Sequence, residues 1–447
     1  MTPGARANMS MDILRALEVS ARPADRLIDQ WFRDRRFAGS GDRRYISELV
    51  YQILRRRAEL DWLIDGLDGA DDIDAERMRV IVALVHLQDW QTADFDQAFS
   101  GTGHNPEALG DDEKQLLEKV AERRKQKMPA AVQGNFPEWM TKHFTRRFED
   151  DFVDQMSAMN ERAAVDLRVN TLKTTQEKAL AELADEGFEA RASALSPVGI
   201  RLNDRKRITG TGLYTTGGVE VQDEAAQICA QLVDARPGQA VLDACTGAGG
   251  KALALAAAMK NTGHIEAWDV DDRRLDRLLP RLERAGIKNV SARKVRADGS
   301  DLYPDYQGAF DRVLIDAPCS GTGTWRRNPE TKWRLTAETL QHNVDRQAKI
   351  LNRAANLVKP GGRLIYATCS VLDCEGADQI NAFLSLQPDF EIMPVAQIWS
   401  DADPASDFLR LSPFSNDTDG FFVAVLSRLD QDPHEEHEMP NPEEIPD

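Results

Sequence analysis

Cysteine is scarce in this 447-residue chain. The five residues (Cys229, Cys245, Cys319, Cys369 and Cys374) contain no CxxC pair. A disulfide framework and a zinc knuckle are therefore not expected, and the usage fits a reducing cytoplasm. Long hydrophobic runs are missing too. Val80–Leu87 and Ala252–Met259 have the length of core helices, well short of the ~18 apolar residues of a membrane span. The opening MTPGARANMSMDILRALEVS holds Arg6 but no apolar stretch, so no secretory signal is expected. No repeat appears at solenoid periods. Positive charge in excess is also lacking: the net charge is −18. Taken alone, that argues against binding phosphates, which needs clustered Lys and Arg. What remains is 42% hydrophobic and 29% charged, the balance of a globular protein. At roughly 150 residues per domain, about three domains are expected.

Three patterns follow one another along the chain. From Asp12 to about Met128, apolar residues recur three to four apart, as in Ile46, Leu49, Val50, Ile53 and Leu54. This predicts an all-helical bundle of five or six helices. After a break at Met128–Pro137, Glu138–Asn160 reads as helical. Leu167–Leu172 then reads as a strand and Thr175–Glu186 as a helix, within a small α+β module running to about Gly218. Short apolar runs follow at Ala240–Cys245, Ile265–Val270, Val290–Val295, Arg312–Ala317, Leu364–Ala367 and Gly420–Leu426. Alternation with helices predicts a mostly parallel α/β sheet. The segment from Asp430 has eight acids, four prolines and no Lys or Arg, the composition of a disordered tail.

In VLDACTGAGGKALALAAAM a strand, a glycine-rich turn and a helix adjoin. The glycines permit close backbone approach, and the helix start aims free N–H groups at the same point. Neither G-x-x-x-x-G-K-[ST] nor a good G-x-G-x-x-G is present, so a nucleotide-like ligand competes here with a turn that only packs helix on strand. Asp269 ends the next strand, where an acid can take two ribose hydroxyls. Asp316 and Cys319 in DRVLIDAPCSGTG, and Cys369 in LIYATCSV, follow the ends of two other strands. Ligands of open α/β sheets sit at that edge. Cys229, Cys245 and Cys374 read as structural, since free cysteine is commonly buried.

These motifs carry a family resemblance. DAPCSGTGTWRRNPETKW, YATCSV, VQDEAAQ and DGFF resemble the Sun (Fmu) family of RNA cytosine-5 methyltransferases, closest to the bacterial type acting on 16S ribosomal RNA. DRRYISELVYQILRRRAELDWLI resembles that family's NusB-like domain. The resemblance covers residues 10–428 and implies a multi-domain α and α/β fold: a NusB-like helical domain (9–135), linker helices with a small α+β RNA-binding-like module (136–218), and a Rossmann-like methyltransferase domain (219–429), before the tail (430–447). The implied cofactor is S-adenosyl-L-methionine. Cys369 matches the nucleophile that attacks C6 of cytosine, Cys319 the thiol that resolves the adduct, and Asp316 the acid at the base and the cofactor's methionine end. Cys245, Thr246, Gly247, Ala248, Gly249, Gly250 and Lys251 match the cofactor loop, Asp269 the ribose contact, Asp298 a residue near adenine and Arg274 a cofactor-side arginine. The family loop usually reads CAAPGGK, whereas this chain has CTGAGGK. The chemistry fits two thiols: adding a thiolate at C6 turns C5 into an enamine-like carbon.

Basic residues cluster despite the net charge. Arg33–Arg57 holds eight Arg against three acids, and Arg123–Arg147 seven Lys/Arg against Glu138. After the PC motif, Arg326, Arg327, Lys332 and Arg334 flank Trp325 and Trp333. Arg326, Arg327, Lys332, Trp333 and Arg334 are expected to contact RNA by phosphate pairing and stacking. The expected partner is RNA, with 16S rRNA favoured over tRNA or another rRNA site. No membrane or metal is expected, and a monomer is. A non-catalytic RNA-binding ribosome-assembly factor is the alternative from another class, and the intact thiols and Asp316 count against it. An amino-methyltransferase would need an Asn/Asp-Pro-Pro-aromatic motif where this chain has DAPC.

Overall fold

The computed structural model describes residues 1–35, 37–65, 74–203, 206–297 and 304–430. Asp298 and the acidic tail beyond Asp430 lie outside the described residues. Among those described, seven helices occupy residues 3–123, one or two more than the periodicity predicted. The run around Leu54 hides one boundary: Ser40–Arg55 and Arg57–Ile64 are separate helices meeting at Arg56 (φ −110°, ψ 20°). Their apolar spacing continues across the bend because both helices bury residues in one core with Ile13, Leu14 and Val80.

The small module holds β1 (Val165–Val169), β2 (Ala190–Ala192), β3 (Gly199–Leu202) and β4 (Val219–Val221), in the antiparallel order β2-β3-β1-β4. The strand expected at Leu167–Leu172 starts two residues earlier and stops at Val169. Thr175 caps the following helix, its side chain accepting from the Lys178 N–H. β4 pairs with β1, so the small sheet reaches beyond the expected boundary at 218.

The third unit is a mixed sheet of β5 (Ala240–Asp243), β6 (His264–Asp269), β7 (Val290–Lys294), β8 (Phe310–Asp316), β9 (Val358–Thr368), β10 (Phe390–Ile392), β11 (Leu409–Leu411) and β12 (Phe421–Arg428). The order is β10-β12-β9-β8-β5-β6-β7, with β11 beside β12. β9, β8, β5, β6 and β7 run parallel, and β12 returns antiparallel to β9. The chain winds outward from β5 through β6 to β7, then crosses back to β8. The switch point therefore lies between β5 and β8, where such sheets bind ligands. β10 and β11, three residues each, were too short for a sequence pattern to reveal.

The segment after the PC motif docks this unit on the helical bundle, and the burial of Lys332 corrects the expectation that it contacts RNA. Lys332 is fully buried. Its ammonium donates to the carbonyls of Arg55 and Asn135 and to Asn160 Oδ1. Burial, then the Arg55 and Arg56 charges, push its pKa well below the usual lysine value. Trp333 Nε1 donates to the Leu54 carbonyl at 2.7 Å, and Arg334 donates to the carbonyls of Arg22 and Leu17. Glu330 accepts from the Ala24 N–H at 2.9 Å, and Trp325 is buried against Phe144. Part of the cluster that reads as an RNA surface thus forms a seam between domains, because its donors meet helix-end carbonyls. Replacing Lys332 by Met strands buried acceptors and should destabilise the protein by about 2–4 kcal/mol. An earlier urea transition would show this. A shift below about 0.5 kcal/mol, the range of exposed sites, would contradict the seam.

Candidate active site

Strand register brings the two motifs together. β8 and β9 are parallel neighbours with Asp316 opposite Ala367, and the Ala317 N–H donates to the Ala367 carbonyl at 2.8 Å. Cys319 and Cys369 follow those partners by three and two residues, and their Sγ atoms lie 3.4 Å apart. The Cys369 contact, then burial, holds Cys319 a thiol well above the usual range.

Two loops are zipped around this pair. The Gly323 N–H donates to the Cys369 carbonyl at 3.0 Å, and the Val371 N–H to Thr322 Oγ1 at 3.0 Å. Gly420 of the DGFF motif donates to the Gly323 carbonyl at 2.8 Å, and a Cβ on either glycine would collide with the neighbouring chain. The motif's glycine is thus a close-approach requirement of the thiol loop.

Sequence reasoning missed Glu375. It is fully buried, and its carboxylate accepts from the Ser320 N–H at 2.8 Å, from the Ser320 hydroxyl and from Gln347 Nε2 at 3.0 Å. Gln347 also donates to the Pro318 carbonyl at 3.0 Å, so the residues on both sides of Cys319 are held. The signal was a lone acid six residues after Cys369, which no spacing rule singles out.

Beside the thiols, a cleft opens at the switch point. Its lining includes Cys245, Gly247, Asp269, Arg274 and Asp316 from the expected set. Thr246, Ala248, Gly249, Gly250 and Lys251 do not line it. Thr246 Oγ1 instead donates to Asp243 at 3.0 Å, and Ala248 accepts from Arg281. Gly249, at φ +81°, leaves room for Leu278, which any side chain there would strike. Lys251 turns to Asp316, with Nζ 2.7 Å from Oδ2 and 4.9 Å from the Phe421 ring centre. Burial opposes its charge, but Asp316 outweighs burial and holds the ammonium above the usual lysine value. Burial, then the Asp316 charge, push Asp243 up to about 7. Cys229 sits in the core, as expected of a structural cysteine, and burial raises it to about 12.

Asp269 accepts from the Gly247 N–H and the Asp271 N–H, each at 2.9 Å. A carboxylate has about four acceptor positions, so two stay open for a diol. Arg274 stands 3.7 Å from Asp269, and Val270, Ile350 and Leu357 give apolar walls for a flat ring. The cleft thus fits a nucleoside with a charged end near Asp316. Trp268, Pro318 and Arg346 also line it, supplied by segments the motifs do not include.

A parallel-sheet cleft of this kind, lined by Asp316 and Pro318 just before Cys319, defines a Rossmann-like methyltransferase. Comparison with known proteins sharpens that class. The family model described as 16S rRNA methyltransferase RsmB/F matches residues 230–427, and the RsmF/B-like ferredoxin-like domain matches residues 136–209. The ribosomal RNA small subunit methyltransferase B of Klebsiella pneumoniae is 30% identical over 399 residues, covering 86% of this chain and 90% of that protein. The protein of the same name from Shewanella oneidensis is 33% identical over 293 residues, covering 65% and 67%. The crystal structure of PH0851 superposes with a TM-score of 0.76 at 27% identity, covering 96% of this chain and 99% of that one. The chain belongs to the RsmB/F family of 16S rRNA methyltransferases, which bears out the family resemblance read from its motifs.

The clamp on Cys319 is testable. Glu375→Ala removes the acceptor of three hydrogen bonds and should lower kcat by about tenfold or more, as expected for misplacing a reacting group. Glu375→Gln keeps one carbonyl acceptor and should recover much of that loss. Steady-state methylation assays decide it, and equal activity in both variants and wild type would remove Glu375 from the site.

Proposed function

We propose that this protein methylates C5 of a cytosine in 16S rRNA, using S-adenosyl-L-methionine. The observation that carries the reading is the 3.4 Å thiol pair beside Asp316 and the cleft. Asp269, Arg274, Asp316 and the loop at Cys245–Gly247 would hold the cofactor; Asp298, outside the described residues, is expected near its adenine. When bound, it supplies an electrophilic methyl group.

The chain's own residues do the rest. The Cys369 thiolate adds to C6 of the cytosine. A proton at N3 balances the added electron pair, and a carboxylate alone has none to give. The Lys251 ammonium, 2.7 Å from Asp316, gives the pair a proton that it can pass to N3. The resulting enamine carries its electron density to C5. The Cys369 contact is the largest influence holding Cys319 protonated. Once Cys369 is bonded to C6, that influence is gone and Cys319 ionises more readily. Cys319 gives its own proton to solvent, and its thiolate then takes the proton from the methylated C5. The electron pair expels the Cys369 thiolate, and the N3 proton returns to the Lys251–Asp316 pair. The target base must leave its stack to reach these atoms. A 16S rRNA substrate would place the enzyme in the cytoplasm.

Cys369→Ser should abolish methylation with cofactor affinity near wild type, measured by methyl transfer and calorimetry. Full activity in that variant would sink the mechanism. Cys319→Ala should trap a covalent protein–RNA complex, visible as a denaturation-resistant gel shift. Methylation by both variants without crosslinking would rule out the two-thiol reading. Bisulfite sequencing of rRNA and tRNA from a deletion strain identifies the cytosine, and a loss confined to tRNA would overturn the substrate assignment.

A further inference from the structure

We propose that the small α+β module sets the shape of the cofactor loop, with Arg168 and Arg281 as the positioning residues. The assignment rests on the S-adenosyl-L-methionine cofactor proposed above and adds what holds its loop in shape.

Two carbonyls of the loop are held by guanidiniums. Arg281 donates to the Ala248 carbonyl, and Arg168 to the Gly250 carbonyl. Neither arginine belongs to the loop. Arg168 is on β1 of the small module, and Arg281 is in the helix Asp272–Ala285 of the catalytic domain. Arg281 also donates to Glu220 Oε2 at 3.0 Å, and Glu220 is buried on β4. β1 and β4 are antiparallel neighbours, with Arg168 directly opposite Glu220. Strand alternation explains the pair. Leu167 and Val169 turn into the core of the module, so Arg168 leaves from the other face of the sheet. Glu220, its cross-strand partner, leaves from that same face. Burial pulls the Arg168 guanidinium down to about 10, against the Glu220 charge, and it stays ionised at neutral pH. One member of the pair thus reaches the loop directly, and the other reaches it through Arg281.

The hold on Ala248 carries to the cleft. The Gly249 N–H donates to the Thr246 carbonyl at 2.9 Å. The Ala248 carbonyl and the Gly249 N–H belong to one trans peptide and point opposite ways, so that plane is fixed at both ends. The Thr246 carbonyl and the Gly247 N–H form the next fixed plane, since the Gly247 N–H donates to Asp269 at 2.9 Å. Cys245, Gly247 and Asp269 all line the cleft. Gly247 and Gly249, at φ +57° and +81°, flank Ala248. A turn between two glycines changes shape at little cost. Ala248 stands where the family pattern has proline, so no ring fixes the backbone there. The arginine contact supplies the constraint instead.

The helix that carries Arg281 is itself anchored to the module. In its last turn, the Ala285 carbonyl accepts from Asn170 at 2.9 Å and the Arg284 carbonyl from Lys173 at 2.6 Å. Along this helix Arg274 lines the cleft, Leu278 fills the space beside Gly249, and Arg281 holds Ala248. Those positions are four and three residues apart, which puts them on one face. The module fixes the helix, and the helix presents three side chains to the cofactor site.

Calorimetric titration of the full-length protein with S-adenosylhomocysteine, the demethylated form of the cofactor, is the test. Arg281→Ala should weaken binding roughly tenfold, the loss expected of a charge-assisted hydrogen bond. In methylation assays the KM for S-adenosylmethionine should rise in step, while kcat at saturation stays within about threefold of wild type. Arg281→Lys keeps a cationic donor for the Ala248 carbonyl and should recover part of the loss. Arg284→Ala is the control. Arg284 shares Glu220 but donates to no loop carbonyl among the described residues. Its removal should change cofactor affinity by about twofold at most. Glu220→Gln should weaken binding in the wild type and much less in Arg281→Ala, because residues acting through one contact are not additive. Wild-type affinity in Arg281→Ala would overturn the proposal. So would an equal weakening from Arg284→Ala, or full additivity of Glu220→Gln with Arg281→Ala. Failure of the wild-type protein to bind S-adenosylhomocysteine would sink the cofactor reading and this assignment together. Equal binding by wild type and Arg281→Ala sinks the assignment alone.

Discussion

The hydrogen-bonded register between β8 and β9 holds Asp316 opposite Ala367. Because the strands are parallel, both chains leave the sheet at the same edge, and whatever follows within two or three residues must meet. Two cysteines 50 positions apart in sequence thus come to 3.4 Å. A slip of one residue would turn the side chains to the other face and part them. The zipped loops, the buried Glu375 and the paired glycines Gly323 and Gly420 all preserve that meeting after the strands have ended.

Charge is handled in two ways around it. Lys251, which is buried, pairs with the half-buried Asp316, and their Coulomb attraction offsets the loss of water around the ammonium. Lys332 is held instead by neutral groups: three oxygen acceptors satisfy its three N–H bonds. The first arrangement stands at the edge of the cleft that Asp316 lines, and the second joins domains. Both are cations in a buried setting, and only their partners distinguish the roles.

Much of this was legible in the chain. The three-part organisation, the strands β5 to β9 and β12, and the strand-end positions of Asp269, Asp316, Cys319 and Cys369 followed from apolar periodicity. Strand ends are readable because burial ends there and polar residues begin. The cofactor loop was legible only as a whole. The glycine-rich motif does not say that Gly247 faces the cleft, that Gly249 makes room for Leu278, or that Lys251 turns away to Asp316. Glu375 stayed hidden because its partners, Ser320 and Gln347, are 55 and 28 residues distant.

The net charge of −18 first spoke against a nucleic-acid partner. Composition sums over the molecule, whereas a polyanion responds to the local field. The sequence by itself determined the elements, the thiols and the acid at strand ends, since these depend on local patterning and on the family's motifs. Tertiary structure decided which cations are consumed inside and which stay at the surface. Lys332 and Arg326 are buried and bonded to protein oxygens, while Arg44 is exposed. The reason is that a charged side chain's role depends on the acceptors brought to it from distant segments, and sequence spacing alone does not specify them.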